Sequence, residues 1–426
     1  MQDGPSGPEA LAPPSPVAVK RRSWLGATFR ALENRNYRLY WSGQLVSLTG
    51  SWMQRTAVAW LVLELTDSPL ALGTVTMLQF LPMLLFSLVG GVLADRWPKR
   101  RVLLVTQVGS ALQATALALL VSSGQIDLWH LYALSFIQGL FQAVDNPTRA
   151  AFAAELVGPD HLANAIALNS GNFNASRIFG PALAGALLAT VGTAVCFWAN
   201  ALSYVPIVWG LLAMRPEEFH MAPPARGSVY GQLVEGLAYA VRTPAIFGVL
   251  VIVWALGTFG FNFITIIPLL ARFVFDAGPE AYGLLSSCLG AGSLCGALLA
   301  AGRARATRGW LFFGAAVFTV LLGSVALSSW YALSAVLLFA LGMAGITFSA
   351  TAQTLLQYAA PGQMRGRVMS LYTVLFAGTT PLGALVVGGL SESYSVPAAL
   401  LVTASLCALG TATAWLYLRY RGSDSP

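Results

Sequence analysis

The stretch GVLADRWPKRR (residues 91–101) separates two long apolar segments, 70–94 and 102–121. Each segment is long enough to cross a bilayer, since about 20 apolar residues span it as a helix. Four of the residues between them are Lys or Arg. Because short loops rich in these residues stay cytoplasmic, the stretch predicts a membrane hairpin with its turn on the cytoplasmic side.

The composition supports the same interpretation for the whole chain. Of its 426 residues, 56% are hydrophobic and 10% are charged, whereas soluble domains carry about 25% charged residues. Apolar stretches of spanning length recur, so we predict an all-α membrane protein with twelve transmembrane helices. The predicted spans are 39–65, 70–94, 102–121, 128–150, 165–191, 194–214, 246–271, 282–301, 310–327, 330–358, 368–390 and 398–418.

An internal repeat divides the predicted helices into two sets of six. Residues 155–185 and 357–389 each contain a Pro-containing turn, a helix start and a Pro–Gly cluster. Two pseudo-symmetric six-helix bundles are typical of transporters. We therefore predict a basic, disordered tail with a candidate interfacial helix, a first bundle, a cytoplasmic linker, a second bundle and a C-terminal tail. Their ranges are 1–38, 39–214, 215–243, 244–420 and 421–426.

The distribution of positive charge predicts the orientation. Of the 24 Lys and Arg residues, 21 fall in the tails, the linker or alternate loops. Such segments stay cytoplasmic, so we expect both termini inside the cell. The net charge of +7 then reflects topology and contact with anionic lipid, not nucleic-acid binding.

Other function classes lack their sequence signatures. The chain has no His-Glu-x-x-His pair, no Gly-x-Ser-x-Gly elbow and no phosphate-binding P-loop. Its four cysteines lie in apolar segments without metal-ligand spacing. A channel would need a symmetric ring of filter groups. We expect no enzyme activity, no cofactor and no metal, with an intramembrane enzyme as the rival class.

The loop between the second and third predicted helices resembles the signature of the major facilitator superfamily. Gly91, Asp95, Arg96, Arg100 and Arg101 match that signature, and proline replaces its glycine at position 98. By physical argument, Gly91 allows close helix approach. Asp95 needs a positive partner, which a helix N-terminus can supply.

The resemblance implies that Asp95 meets the start of the eleventh helix, near residues 366–370, when the cytoplasmic side is closed. Asp95 would then latch the outward-open state. The alternative is a loop that only determines topology.

Three charged residues inside the predicted spans are candidates for function. Arg177 lies near the membrane midplane, where it would contact an anionic or polar substrate or pair with Asp145. Arg55 either reaches the outer interface or lines the cavity. Asp145 pairs with Arg149, Arg100 or Arg101 as a gate, or carries a proton.

Two further resemblances point to export. Gly180 and Pro181 resemble the glycine–proline motif of the superfamily's antiporters. Residues 36–73 resemble the bacterial branch of enterobactin-exporter-like and drug-efflux proteins, which implies export of a bulky amphipathic compound. The candidate substrate-binding residues are Gln44, Ser51, Arg55, Gln138, Asn172, Arg177, Phe259, Asn262 and Gln353.

The sequence thus predicts a secondary active transporter of the bacterial inner membrane. We expect alternating access driven by the proton gradient, with a small molecule, protons and lipid as partners. We expect no nucleic-acid partner and a monomeric state. An importer or an uncoupled facilitator of the same fold is the alternative.

Overall fold

A computed structural model describes residues 29–220, 229–301 and 306–421. At positions 88, 89, 92, 94, 95, 229–234 and 301 it describes the backbone alone. The described chain is built almost wholly of helices. The α-helices are α1 Arg35–Thr66, α2 Pro69–Arg96, α3 Lys99–Ser122, α4 Leu128–Val157, α5 Leu162–Thr190, α6 Thr193–Ala213, α7 Val229–Arg242, α8 Pro244–Ala255, α9 Phe263–Leu269, α10 Pro279–Ala301, α11 Arg308–Leu327, α12 Tyr331–Ala359, α13 Arg365–Thr373, α14 Thr380–Ser393 and α15 Val396–Arg421.

Nine helical segments of the described chain are long and apolar enough to cross a membrane. The other long helices, α1, α4 and α5, are comparable in length but carry more polar side chains. Arg55, Asp145 and Arg177 lie on these three helices. The charged groups singled out in the sequence are therefore concentrated on the helices with the weakest apolar signal.

Two of the predicted spans are interrupted rather than continuous. Residues 244–274 form α8 and α9 with wider π-helical turns at Leu256–Gly260 and Leu270–Val274. A third wide turn, Val374–Gly378, separates α13 from α14. Such turns occur often at functional sites, and here two of them flank Phe261 and Asn262.

The linker contains structure that the sequence did not predict. Within residues 215–243, α7 forms an amphipathic helix, and the first turn of α13 packs on it. Arg367 of α13 forms an ion pair with Glu235 of α7. Residues 1–28, which include about half of the predicted interfacial helix at residues 20–38, lie outside the described chain. So do residues 221–228 of the linker and 422–426 at the C-terminus.

Helix pairings in the first part of the chain recur in the second. We call α1–α6 the N-terminal group and α8–α15 the C-terminal group. In the N-terminal group α2 packs on α4, α3 on α6 and α1 on α6. In the C-terminal group α10 packs on α12, α11 on α15 and α8 on α15.

The two groups meet near one end of the molecule. We call the end at which α2 passes into α3 the basic end, and the end at which α1 passes into α2 the opposite end. Near the opposite end α5 crosses α10 at Gly185 and Gly283, and α2 crosses α14 at Gly73 and Gly388. A Cβ atom added at any of these glycines would press against the partner backbone, so small residues permit the contact.

Side chains reinforce this contact between the groups. Arg272 Nη2 lies 2.9 Å from Asp67 Oδ1, in the turn between α1 and α2. Glu392, at the end of α14, accepts a hydrogen bond from Ser68 Oγ at 3.0 Å. Ser68 also caps α2, because its hydroxyl accepts from Ala71 N at 3.1 Å.

Candidate functional site

Two adjoining cavities lie among the helices. The first, which we call the central cavity, encloses about 210 Å³ between the N-terminal and C-terminal groups. Helices from both groups line it. Its lining residues include Trp52, Arg55, Thr56, Thr76, Phe80, Arg177, Pro181, Phe261, Asn262, Phe263, Tyr282, Ser286, Phe376 and Thr380.

The second cavity, which we call the vestibule, encloses about 510 Å³ and extends from the central cavity toward the basic end. Trp52, Arg55, Phe80 and Ile264 line both cavities and form the boundary between them. Most of the other residues that line the vestibule have polar side chains. It includes Tyr40, Gln44, Ser51, Gln107, Ser110, Gln138, Gln142, Asp145, Asn146, Arg149, Asn169 and Tyr204.

Arg55 occupies the boundary between the cavities. Its Nη2 donates to Gln142 Oε1 at 3.0 Å, and its guanidinium carbon lies 4.9 Å from the centre of the Trp52 ring. Its Nε is buried without a hydrogen-bond partner. Of the two positions expected from the sequence, the structure therefore shows the cavity and not the outer interface.

Arg177 lies in the wall of the central cavity. It is 13 residues from the end of α5, about 20 Å along the axis, so its side chain is too short to reach either helix end. The described residues include no ion pair between Arg177 and Asp145. Asp145 is engaged elsewhere, so the proposed pairing of these two residues is wrong in this structure.

Asp145 is the centre of a buried network in the vestibule. It forms an ion pair with Arg149 one turn along α4. Thr106 donates to its Oδ1 at 2.6 Å, and Gln107 donates to the same oxygen at 2.8 Å. The pairing with Arg149 was one of the sequence-based alternatives. Arg100, another of the proposed partners, instead donates to main-chain oxygens near the end of α6.

The structure brings some predicted substrate-binding residues together and separates others. Gln44, Ser51 and Gln138 line the vestibule, and Asn262 lines the central cavity. The amide oxygens of Gln138 and Asn262 are buried without a partner, which leaves acceptors available there.

Three predicted residues do not line either cavity. Asn172 is buried and donates to Trp41 O at 3.0 Å. Phe259 packs edge-on against Trp254. Gln353 donates to the Tyr372 hydroxyl at 3.1 Å. Their polar or aromatic character was a correct signal for interior packing, but periodicity alone could not assign the face of the helix that borders the cavity.

Several cavity residues were not predicted. Phe80, Tyr282 and Phe376 add aromatic rings to the central cavity, and Gln142 holds Arg55. Gln142 stands one helical turn after Gln138 on α4, so the spacing of the two glutamines was a usable signal. The aromatic residues carried none, because most aromatic side chains in such helices face lipid or neighbouring helices.

The motif at the turn between α2 and α3 holds neighbouring helices in place. Lys99 Nζ lies 2.6 Å from Glu155 Oε1 of α4, and both side chains are largely buried. Arg100 donates to the main-chain oxygens of Leu211 and Leu212 at 2.6 and 3.0 Å. A cation at the end of α6 also suits the dipole of that helix. The side chain of Asp95 lies outside the described residues.

The prediction that Gly91 permits close helix approach is wrong in this structure. Among the described residues, no atom of another helix lies within 4 Å of a Cβ built at Gly91. Gly90 has that role instead, because a Cβ there would press on the backbone of Ala143 and Val144 in α4.

Two other residues of the motif lie at the surface. Exposed Arg96 and Arg101 border a surface groove beside Trp97.

Gly180 and Pro181 lie where α5 passes the centre of the molecule. A Cβ added at Gly180 would meet Trp52 and the backbone of α1. Pro181 lines the central cavity, and its carbonyl faces Gly283 of α10. The pair therefore joins helix packing to the cavity wall.

The sequence of the chain matches a known family. A family model described as transmembrane secretion effector matches residues 26–425. The chain belongs to the major facilitator superfamily. It is accordingly a multi-pass membrane transporter and not an enzyme.

Bacterial relatives in this superfamily match over most of the chain. The uncharacterised transporter YfiS of Bacillus subtilis is 28% identical, covering 86% of this chain and 89% of its own. The multidrug efflux pump Tap of Mycolicibacterium fortuitum is 26% identical, with 84% and 89% covered. The enterobactin exporter EntS of Citrobacter koseri is 26% identical, with 87% and 89% covered.

A solved structure shares the fold. The inward-facing, unoccupied structure of a bacterial homolog of the human lysosomal transporter Spinster aligns with a TM-score of 0.75. The alignment covers 92% of this chain and 99% of that one at 14% identity. At this identity the likeness concerns the fold alone.

Proposed function

We propose that this superfamily member exports a small amphipathic compound across the bacterial inner membrane by alternating access. The observation that carries the proposal is the central cavity between the two helix groups, with a vestibule on one side and a tight contact on the other. A site placed in this way can be reached from one end at a time. Binding between two halves of a transporter is the usual arrangement.

We further propose that twelve helices cross the membrane as two bundles of six. The nine apolar segments, together with the more polar α1, α4 and α5, supply this number. Polar residues inside a span normally face a cavity, which accounts for the weaker apolar signal of those three helices. The recurring helix pairings of the two groups support a pseudo-symmetric pair of bundles.

We place the basic end in the cytoplasm, because loops rich in Lys and Arg stay there. The vestibule then faces the cytoplasm, and the contact at Gly73, Gly185, Gly283 and Gly388 closes the outer side. This is the conformation in which an exporter loads its substrate. The similarity to Tap, a multidrug efflux pump, and to EntS, an enterobactin exporter, supports export of a drug-like or siderophore-like compound.

We propose the proton gradient as the driving force, with protein acids or an acid of the substrate as the carrier. Within the described spans Asp145 is the deepest acid, and it faces the vestibule. The three groups that donate to Asp145 also suit a role as a gate. They therefore support a gating role for Asp145 better than a role in carrying the proton. We propose that the chain works as a monomer in contact with anionic lipid.

The experiment is transport into inverted membrane vesicles that contain the full chain. A hydrophobic dye and a catecholate siderophore are offered with and without a proton gradient. The proposal expects accumulation of at least one compound, lost when the gradient is collapsed. Entry that only equilibrates the compound across the vesicle membrane, with or without the gradient, would identify a facilitator. Uptake into intact cells, with none into inverted vesicles, would identify an importer.

A further inference from the structure

The central cavity contains positive charge that no carboxylate of its lining compensates. Arg55 and Arg177 both line it, and no Asp or Glu occurs among its described lining residues. In the adjoining vestibule the lining carboxylate is Asp145, which is engaged by Arg149, Thr106 and Gln107. Two cations therefore share a cavity without a counter-ion from the described chain.

Neither cation can leave the interior by bending toward water at a helix end. Arg55 lies 11 residues from the end of α1, about 16 Å along the axis, and Arg177 is further from both ends of α5. A cation at such depth is costly unless it faces a partner or a watery cavity. Arg55 retains a buried Nε without a partner, so its donor capacity is not exhausted.

The rest of the cavity wall is suited to a flat apolar body. Rings of Phe80, Phe261, Tyr282 and Phe376 line it, and Trp52 stacks beneath the Arg55 guanidinium. An aromatic ligand gains area burial and ring contacts there, while guanidinium groups bind carboxylates through two parallel hydrogen bonds. A cationic compound would meet two like charges and no acid.

We propose that the central cavity binds organic anions with an aromatic body, and that Arg55 and Arg177 supply the positive charges that recognise them. This assignment rests on the transport function proposed above and names its substrate class. It makes charge the main criterion of selection, with shape supplied by the aromatic wall. Cationic drug-like compounds are excluded as substrates.

Three probes with one ring system test the assignment. Binding of 2-naphthoate, 2-naphthamide and 2-naphthylmethylammonium is measured by calorimetry on the full chain in nanodiscs, with empty nanodiscs subtracted. We expect naphthoate to bind at least about 10-fold more tightly than the amide, and the ammonium to bind most weakly. Equal binding of naphthoate and naphthamide, or no naphthoate binding, overturns the assignment.

Variants separate recognition from structure. Arg55→Gln and Arg177→Gln should each weaken naphthoate binding about 10-fold and leave naphthamide binding within about 2-fold. Lys at either position should recover part of the loss, because the charge remains while the planar fork is lost. Arg308→Gln, which removes the same charge from an exposed site outside both cavities, should change nothing.

Thermal unfolding provides a second readout. Loss of an uncompensated interior cation should leave the melting temperature unchanged or raise it, whereas loss of a structural partner lowers it. A variant that weakens the binding of all three probes equally and melts at a lower temperature overturns the recognition role.

Vesicle transport distinguishes failure of this assignment from failure of the proposed function. If inverted vesicles accumulate dyes without regard to the charge of the dye, the proposed substrate class is wrong while the transport function stands. If naphthoate binds and nothing is transported, the transport function fails alone.

Discussion

Arg272 and Asp67 form an ion pair that links the two helix groups at the opposite end, with 2.9 Å between Nη2 and Oδ1. Both side chains are substantially exposed. Exposed pairs contribute roughly 0.2–1 kcal/mol. This pair therefore stabilises the closed state of the opposite end only slightly. The crossings at glycines provide the larger part of the contact.

Breaking this pair should shift the protein toward a state open at the opposite end. We expect Arg272→Gln to raise the population of that state by up to about 5-fold, in line with a loss below 1 kcal/mol. Pulsed electron spin distances between labels at Ser123 and Ser329, both exposed at this end, measure the shift in a cysteine-free background. An unchanged distance distribution would show that the pair carries no bias.

Asp145→Asn should harm the protein by leaving Arg149 without its partner. Removing one member of a buried pair costs about 3 kcal/mol or more, so we expect a lower melting temperature and loss of both accumulation and counterflow. Asp145→Asn with Arg149→Gln should recover much of the stability. Survival of counterflow in the single variant, with accumulation lost, would instead assign Asp145 to proton coupling.

Gly90 and Gly91 form a matched pair for a packing test. Gly90→Ala should lower the melting temperature, because the added methyl group presses on the backbone of α4. Gly91→Ala meets open space and should keep or raise stability, since alanine favours helix by up to about 1 kcal/mol over glycine. If the second variant is stable but inactive, Gly91 is needed in another conformation of the cycle. Equal destabilisation by both changes would contradict the packing described here.

Asp95→Asn tests the latch inferred from the loop motif. We expect near-normal expression and a strong loss of transport, because the charge of the carboxylate, and not its size, would interact with the N-terminus of the eleventh predicted helix. Fluorescence of a tagged protein and vesicle transport measure the two quantities. Full transport by a well-expressed variant would remove the latch and leave a loop that only determines topology.

Labelling tests the orientation on which the export proposal depends. Cysteines introduced at Asp127 and Glu392 should react with a membrane-impermeant maleimide added outside the cell, and one at Glu218 should not. All three residues are exposed, so access to the reagent decides the result. The reverse pattern would place the basic end outside.

The positions of the helices were easier to predict from this sequence than their interruptions and their packing. Long apolar segments and charge-rich turns reveal spans because both follow from the cost of burying charge in lipid. The wide turns around Asn262 were not predicted. The first of them packs at Gly257 on the backbone of Phe376, a contact between distant parts of the chain that no local pattern reveals. The amphipathic linker helix α7 was missed because the prolines and acids that precede it, at residues 216–224, dominated the composition of residues 215–243.

In the candidate site, too, local sequence patterns identified residues, whereas contacts that depend on helix packing were not predicted. Arg55 and Arg177 could be selected from sequence, because a cation inside a span is rare enough to need a reason. Which neighbours they would meet could not, since Arg55 of α1 reaches Gln142 of α4 only when those two helices pack. Glycine roles were uncertain by one position for a similar reason: Gly90 and Gly91 differ only in which face of α2 they occupy.

The crossings at Gly73 with Gly388 and at Gly185 with Gly283 have an evolutionary consequence. Because backbone meets backbone there, added side-chain volume penalises the closed state and spares the open one. Mutation at these four positions therefore pushes the conformational equilibrium in a single direction, about 10-fold for each 1.4 kcal/mol of clash. Evolution can therefore change the fraction of time that the transporter spends open to each side of the membrane by adding single methyl groups, without altering any residue that contacts the substrate.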